Sequence, residues 1–343
     1  MGTSTKRRIF AAAVACAATF AGLLGTAGAA QAATSVTFTP RTVTSPHDHQ
    51  YVAALGSVQL SMTAGQTAYV YSTLRANDAS NTTLIDNEVR CSSTSGWTKN
   101  EVLGQNVLIA SADAPASLRD IGVTTRFLVH PGAAGTVTCT TYLRSANLGL
   151  GNSTVRLASG ELKFADTGVA NTTDGTPPQA DDGDTPTGRV IALNSTDKTV
   201  REPATEVFET APVTGLSVFG DQELMACYPE PANYDCPVNS MTARVTLFVN
   251  QWKADGTLCK TDSSASVTAV VRRDVHHMVV PLNTHFAAAT GNGCVPKFNF
   301  YVKTDWVSGS TGAVQMAASG LPDAAGSTST HNDAMSHAFA VAY

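Results

Sequence analysis

The stretch Thr136-Val137-Thr138-Cys139-Thr140-Thr141-Tyr142-Leu143 alternates threonine with apolar side chains and includes a cysteine. A period of two places Val137, Cys139 and Leu143 on one face of a strand and leaves most of the threonines on the other. The same pattern recurs at Val58, Leu60 and Met62, at Val245, Leu247 and Val249, at Phe298, Phe300 and Val302, and at Phe339, Val341 and Tyr343. These segments indicate half-buried strands with a wet, threonine-bearing face.

Turn signals separate the strands, as at His130-Pro131-Gly132 and Ala254-Asp255-Gly256. No segment shows a sustained helical period, although residues 114–120 and 285–290 have room for a short helical turn. The sequence therefore predicts an all-β protein of two tandem antiparallel β-sandwich domains, each with internal disulfides. An immunoglobulin-like topology stays open, but Trp97 follows Cys91 more closely than that fold places its tryptophan.

The segment from Asp166 to Gly188, DTGVANTTDGTPPQADDGDTPTG, is acidic and rich in proline and glycine. It has too little apolar surface to order itself, which predicts a linker over residues 166–189; a long surface loop inside one domain is the alternative. We expect a first sandwich over residues 51–165 and a second over residues 190–343. Residues 33–50 form an extended amino-terminal segment ahead of them.

Residues 1–32 have the pattern of a signal peptide. Lys6, Arg7 and Arg8 precede an uncharged, alanine-rich run, which ends in Ala30-Gln31-Ala32. A membrane anchor is the alternative, but the rest of the chain offers no apolar run of about 18 to 20 residues. The sequence therefore predicts a secreted, extracellular protein without a membrane anchor, exported by either the general or the twin-arginine route.

The charge of the mature chain restricts its partners. The chain has 22 Lys and Arg against 27 Asp and Glu, and loss of the three cations of the leader leaves 19 against 27, a net charge of −8. An acidic chain of this kind is a poor partner for nucleic acid or anionic lipid.

Six of the seven cysteines remain after the leader is removed: Cys91, Cys139, Cys227, Cys236, Cys259 and Cys294. In an exported chain an even number predicts disulfides, and the absence of any Cys-x-x-Cys pair argues against zinc. Since the linker separates two cysteines from four, only the bond from Cys91 to Cys139 is forced. For the rest we favour Cys227 with Cys236 and Cys259 with Cys294.

That preference rests on a weak internal repeat. Each half runs strand, cysteine, strand, cysteine, strand, and the matched segments are 68–71 with 244–248, 88–91 with 257–259, 126–129 with 277–280, and 137–139 with 293–294. A duplication of one sandwich explains this order, and coincidence is the alternative.

No motif in the chain predicts catalysis, a cofactor or a metal. A nucleophile elbow is absent, so an extracellular hydrolase would need a triad assembled from distant residues. The run His47-Asp48-His49 has metal-ligand types, with His331 or His337 as a third ligand, but a solvated polar turn after Pro46 is the interpretation we favour. In the pair His276-His277 we expect one packed and one exposed imidazole. The three tryptophans are far apart in sequence, which weakens a glycan-binding function without excluding it.

The layout resembles the adaptor subunit of actinobacterial umbrella toxin particles, with residues 33–50 as its extended segment and residues 51–165 and 190–343 as its two β domains. The resemblance implies a secreted, non-catalytic adaptor that has protein partners in a secreted complex and links a toxin scaffold to a surface-binding lectin. A glycan- or surface-binding module and an extracellular hydrolase are the alternatives.

Residues 33–50 are the predicted contact with a protein partner. Val36, Phe38 and Val43 are spaced among threonines, while Pro40 and Pro46 remove backbone donors. Such a segment suits strand addition, with its apolar side chains filling pockets of another protein. The alternative is an ordinary edge strand of the first sandwich or a frayed terminus.

Overall fold

The chain folds into antiparallel strands, and the described residues contain no helix. The computed structural model describes residues 34–108, 120–149, 151–169, 174–175, 190–210, 212–226, 228–229, 240–272, 275–319, 321–327 and 332–343. The segment 285–290, where a helical turn had room, continues a strand as far as Ala287. The predicted signal peptide, the segment 114–119 and the bond between Cys227 and Cys236 fall outside the described residues.

The first half contains nine strands: β1 (Ser35–Thr37), β2 (Arg41–Ser45), β3 (Tyr51–Met62), β4 (Gln66–Asn77), β5 (Thr83–Ser93), β6 (Thr98–Leu108), β7 (Ile121–Val129), β8 (Gly135–Asn147) and β9 (Ser153–Val169). Sheet I has the order β1-β9-β4-β7, with β2 beside β1 along the edge of β9, and sheet II has the order β3-β8-β5-β6. If β1 and β2 are counted as one broken strand, these strands can be renumbered 1 to 8 in chain order. Sheet I then has the order 1-8-3-6 and sheet II the order 2-7-4-5, which is the order of a jelly roll.

The second half contains β10 (Asp174–Gly175), β11 (Val190–Leu193), β12 (Thr199–Ala204), β13 (Phe208–Glu209), β14 (Gly215–Ala226), β15 (Ser240–Lys253), β16 (Leu258–Ser263), β17 (Val267–Arg272), β18 (His277–Ala287), β19 (Cys294–Gly309), β20 (Gly312–Gln315), β21 (Ala317–Ser319), β22 (Asn332–Ala334) and β23 (His337–Ala342). Sheet III consists of β10, β23, β14, β20, β11 and β18, and sheet IV of β12, β19, β15, β16, β13 and β17. Strands β9 and β10 both extend into the segment predicted as a linker.

The two halves have the same topology. Strand β10 pairs with β23 and strand β11 pairs with β20, in the same way that β1 and β2 both pair with β9. With the same numbering as in the first half, sheet III has the order 1-8-3-6 and sheet IV the order 2-7-4-5. The internal repeat is therefore present, but part of its predicted alignment is wrong. Strands β7 and β8 match β18 and β19 as expected, whereas β4 matches β14 instead of β15, and β5 matches β15 instead of β16.

Each sandwich encloses its own apolar core. The predicted inward faces are confirmed for the first sandwich at Val58 and Met62 and for the second at Leu247 and Phe300, all of which are buried. Disulfide bonds join Cys91 to Cys139 and Cys259 to Cys294, as predicted. The first bond joins neighbouring strands, whereas the second links β16 and β19 across β15.

Sheet III is buried on both faces, which the pattern of half-buried strands did not predict. In β23, Ala338 and Ala340 face the core of the second sandwich, while Phe339 and Val341 face the first half. Phe219 lies between Tyr69 and Phe339, at centroid distances of 4.6 and 4.9 Å. The residues Ala33–Tyr343 accordingly form one compact unit.

An arm of the second half reaches the outer face of sheet II. It leaves between β20 and β23, where the eighth strand of the second sandwich is interrupted, and includes β21, β22 and residues 321–327. Leu321 packs against Leu84 and Ala146 of the first sandwich, and Pro322 accepts a backbone hydrogen bond from Gln50 at 2.8 Å. The described part of the arm therefore covers part of the outer face of sheet II, whereas it does not cover the outer face of the equivalent sheet IV.

Candidate binding face

The predicted partner-binding residues lie in the first sandwich itself. Val36 pairs with Leu162 in β9 and packs at the margin of the core, while Phe38 and Val43 are only 6% and 5% exposed. The side chains of Phe38 and Val43 fill the chain's own core, and Val36 is half-buried at its margin. This placement favours the edge-strand alternative for residues 33–50 over a docking segment.

The histidines do not form a metal site in the part of the chain that the structure describes. His49 bonds to the neighbouring Asp48 at 2.6 Å, as a solvated turn allows. His337 is fully buried, whereas His331 lies outside the described residues. The expectation for the pair His276-His277 is wrong, since both residues are buried, at 0% and 2% exposure.

One serine–histidine contact bears on the hydrolase alternative. Ser217 Oγ lies 3.0 Å from Nδ1 of His285, directly across β14 and β18. Among the described residues no carboxylate is recorded on this imidazole to orient it, as a triad requires. The pair is the expected cross-strand contact of two facing residues.

Two clusters of charged residues are buried and closed to a ligand. Between the halves, Arg126 Nε donates to both carboxylate oxygens of Asp221 at 2.9 and 2.7 Å. Beneath the arm, fully buried Arg144 lies 3.0 Å from Asp323 and 3.9 Å from Glu88. These clusters hold the halves together, so neither offers an accessible site.

The outer face of sheet IV presents aligned polar and aromatic side chains, which are at least partly exposed except for Thr246, whose hydroxyl is bonded to Ser266. Strand β15 and strand β19 bring these side chains into direct register, with Arg244 opposite Asp305, Thr246 opposite Lys303, Phe248 opposite Tyr301, and Asn250 opposite Asn299. Their inward neighbours, including Leu247 and Phe300, form the core, so alternation forces this set outward. We call it the binding face.

Amide groups on the binding face are held in fixed orientations. Asn299 Oδ1 accepts hydrogen bonds from Trp252 Nε1 at 2.8 Å and from Asn250 Nδ2 at 3.2 Å. Thr261 donates in turn to Asn250 Oδ1 at 2.8 Å. Because its oxygen is used, Asn299 directs its amide hydrogens to a partner outside this network.

An aromatic row adjoins the amides. The rings of Phe248 and Tyr301 stack at a centroid distance of 5.2 Å, and the guanidinium of Arg201, on β12, lies 5.9 Å from the centre of the Tyr301 ring. All three aromatic residues of the face, including Trp252, are partly exposed. They provide apolar ring surface beside fixed polar groups, which is the composition of a ligand site.

Asp305 organises the cations at the other end of the face. It accepts hydrogen bonds from Lys303 at 2.9 Å, Arg244 at 3.2 Å and Thr199 at 2.8 Å. Partial burial acts to raise the pKa of Asp305, but these hydrogen bonds outweigh it and hold the pKa below its usual value. The carboxylate is therefore ionised and fixes the two cations on the surface.

A pocket of about 510 Å³ lies at the end of sheet IV next to Trp252. Its walls include Lys253, Lys260, Asn292 and the disulfide bond between Cys259 and Cys294. Leu258, opposite Trp252 in β16, is 51% exposed at its rim. Lys260 pairs with the inward-facing Gln251 and lies over the ring of the core residue Phe286, so this pocket lies on the inner side of the sheet edge, apart from the binding face.

The sequence contains a signal for this face that a count of tryptophans does not detect. Alternate residues of β15, from Arg244 through Phe248 to Trp252, combine charge and aromatic character on the wet side of a strand. The equivalent residues of β19, Asn299 and Tyr301, show the same character. Only the pairing of β15 with β19 unites the two sets.

Comparisons with known proteins do not assign a family. No protein-family model and no curated protein matches the chain. The chain is similar to the CBM22-1-CBM22-2 tandem domain from Paenibacillus barcinonensis Xyn10C, at 10% identity over 84% of this chain and 91% of that chain, with a TM-score of 0.23. It is also similar to infectious bursal disease virus of the Gx strain, at 8% identity over 90% of this chain and 72% of that chain, with a TM-score of 0.25. Scores this low carry no argument about fold or function, which therefore rest on the strands and side chains above.

Proposed function

We propose that this chain is a secreted, non-catalytic binding protein that holds carbohydrate on the outer face of sheet IV. The observation that carries the proposal is the fixed amide network beside the aromatic row, with Asn299 as its centre. Sugars offer hydroxyls that pair with amide donors and ring faces that pack on aromatic side chains, and this face presents both. The jelly-roll fold itself adds no functional argument.

The location of the face also suits a binding function. It lies on the side of the second sandwich away from sheet III, which the first half covers, so a long polymer has access along β15 and β19. The described residues contain no helix long and apolar enough to cross a membrane. The two disulfide bonds suit an oxidising, extracellular environment.

The test is a glycan array followed by calorimetric titration of the best ligand against the full chain. We expect Trp252→Ala and Asn299→Ala each to weaken binding by about tenfold or more, because each removes a central contact. Val307→Ala, at the exposed end of β19, is the matched control and should bind like the parent. Absence of any glycan ligand, or equal affinity of the parent and both site variants, would contradict the proposal.

An adaptor function is the second candidate, and strand β3 favours it. This edge strand of twelve residues contains no charged residue and no proline, and among the described residues it pairs with β8 alone. Charged residues, prolines and bulges usually protect edge strands against association. In β3 only a bulge at Ala54–Gly56 interrupts the edge. An open, uncharged edge can add a strand from a protein partner.

The adaptor function is tested by recovering the protein from culture medium with its partners. We expect Gln59→Lys, at an exposed position of β3, to reduce recovery of a partner because a charge disfavours strand addition. The matched control is Thr154→Lys in strand β9, at a position that is also exposed. Recovery of the same partner by the Gln59→Lys variant would remove β3 from the interface.

A further inference from the structure

The binding face is locally basic in a chain that is acidic as a whole. Arg201, Lys303 and Arg244 lie on adjacent strands around a single carboxylate, Asp305, although the complete chain has a net charge of −5. Arg244 is 53% exposed and Arg201 is exposed, while Asp305 is only 15% exposed. The accessible charge of this end of the face is therefore positive.

The equivalent face of the first sandwich already holds a carboxylate. Sheet II has the same 2-7-4-5 order as sheet IV, and the arm places Asp323 on its outer surface. One oxygen of that carboxylate lies 3.0 Å from Arg144, and the other lies 3.7 Å from Arg90. Arg90 in turn lies 4.4 Å from the centre of the Tyr142 ring.

The two faces share the chemistry of this contact. On sheet II an arginine stacks on Tyr142 of β8 and approaches an anion; on sheet IV Arg201 lies over Tyr301 of β19, the strand equivalent to β8. Asp323 comes from the arm, and no described segment supplies a corresponding carboxylate to Arg201. Arg90 is held on the first face by two hydrogen bonds to Glu88 at 2.8 Å and by the looser contact with Asp323, and an external anion would give Arg201 the corresponding partner on the second face.

We propose that the ligand of the binding face is an anionic saccharide, whose negative group is held by Arg201 and Lys303 with support from Arg244. This inference rests on the proposed carbohydrate-binding function and specifies its ligand class. The sugar ring packs on Phe248 and Tyr301 and its hydroxyls reach the amide of Asn299. Carboxylate, sulfate and phosphate groups share the chemistry that arginine and lysine recognise.

The experiment titrates the full-length secreted chain with polygalacturonate, dextran sulfate, a phosphorylated dextran and neutral dextran at low ionic strength. We expect one or more anionic polymers to bind at least about tenfold more tightly than neutral dextran, because each charge-assisted contact exceeds a neutral one. Comparison of the three anionic polymers shows whether the face prefers a carboxylate, a sulfate or a phosphate group. Added salt should weaken this binding, since the cations are exposed.

The double variant Arg201→Gln/Lys303→Gln should lower the affinity for the anionic polymer by about tenfold or more, and by a larger factor than it lowers the affinity for neutral dextran. The double variant Arg75→Gln/Arg156→Gln removes the same charge from exposed positions of the first sandwich and should bind like the parent. Circular dichroism of each variant confirms that the fold is retained.

The outcomes separate the two proposals. If neutral glycans bind through Trp252 and anionic ones bind no more tightly, the anionic inference is wrong and the carbohydrate function stands. If no saccharide binds, both are wrong. If polyglutamate, which has charge without sugar rings, binds as tightly as the anionic polysaccharides, the face recognises charge alone and the inference is overturned.

Discussion

At the scale of single residues, the polar side chains of this protein divide into those that join its halves and those that face solvent. Arg126 belongs to the first group: besides Asp221, it donates to the backbone oxygens of Gly220 and Leu282 at 3.1 and 2.7 Å. Asn299 and Arg201 belong to the second. Burial raises the pKa of Asp221 for a structural reason, so a perturbed pKa alone does not mark the binding site.

His337 gives the clearest pH dependence. Burial is the main cause that lowers the pKa of His337 from 6.5 to about 4; the positive charges of Lys99 and Arg126 act in the same direction, and the carboxylates of Glu101 and Asp221 oppose it. The unfolded chain therefore takes up a proton at a pH where the folded chain does not, and the stability present above pH 6.5 falls as the pH decreases toward 4. This residue should account for a loss of about 3 kcal/mol.

The measurement is urea unfolding of the parent and of His337→Gln between pH 7 and pH 4. We expect the parent to lose more stability across this range than the variant does, since only the parent has to bury a neutral imidazole there. Parallel losses in the two proteins would show that His337 does not contribute to the acid sensitivity.

At the scale of elements, the interruption of one strand accounts for the asymmetry between the two sandwiches. Strand β9 is continuous over 17 residues, while its counterpart is split into β20 and β23 with the arm between them. Ser336 bridges the break: its hydroxyl donates to Gln315 O at 2.6 Å and accepts from Glu223 N at 2.9 Å. The insertion thus leaves the sheet intact and supplies the residues that cover sheet II.

The strands themselves were largely predictable, because each sandwich encloses one core and a period of two reports which side chains enter it. Val245, Leu247 and Val249 illustrate this, as all three are fully buried. Strands β14 and β23 were not predictable in the same way. Phe339 and Val341 belong to the apolar face that alternation predicts, but that face packs on the first half, and the alternate residues Ala338 and Ala340 face the core of the second sandwich.

The grouping of the candidate-site residues could not be predicted from local sequence patterns either. Each strand of the binding face carries a recognisable wet side, but Trp252 and Asn299 are 47 residues apart, and nothing in their local sequence shows that they share a hydrogen bond. The alignment of the internal repeat failed for a related reason. Cys139 and Cys294 occupy equivalent strands, whereas Cys91 and Cys259 do not, so cysteine order gave a misleading correspondence for β4 and β5.

At the scale of the whole molecule, the two jelly rolls share a buried layer. The outer face of sheet III packs on the first sandwich through Phe219, Phe339 and Val341, and the arm adds a second contact on sheet II. Both disulfide bonds lie within a half, so none of the described bonds ties one half to the other. Non-covalent packing and the backbone alone therefore join the described parts of the two sandwiches.

This arrangement predicts that the halves stay together when the backbone between them is cut. A protease site introduced within residues 176–189 should yield two fragments that co-elute in size-exclusion chromatography without denaturant, because separation would expose Phe219, Phe339 and the Arg126–Asp221 pair. In the cut protein, Arg126→Met should promote dissociation. It leaves Asp221 buried without its partner, at a cost of about 3 to 5 kcal/mol, or a hundredfold or more in the dissociation constant.

The matched control for this experiment is Arg75→Met, which removes an exposed ion pair with Asp120 from the first sandwich. An exposed pair contributes about 1 kcal/mol or less, so this variant should remain associated after cleavage. Light scattering on the eluting peak gives the mass of the complex directly. If the cut parent separates into two stable halves, each sandwich is an independent domain and the layer between them is a weak contact. If the Arg126→Met and Arg75→Met variants behave alike, the buried ion pair does not secure that layer.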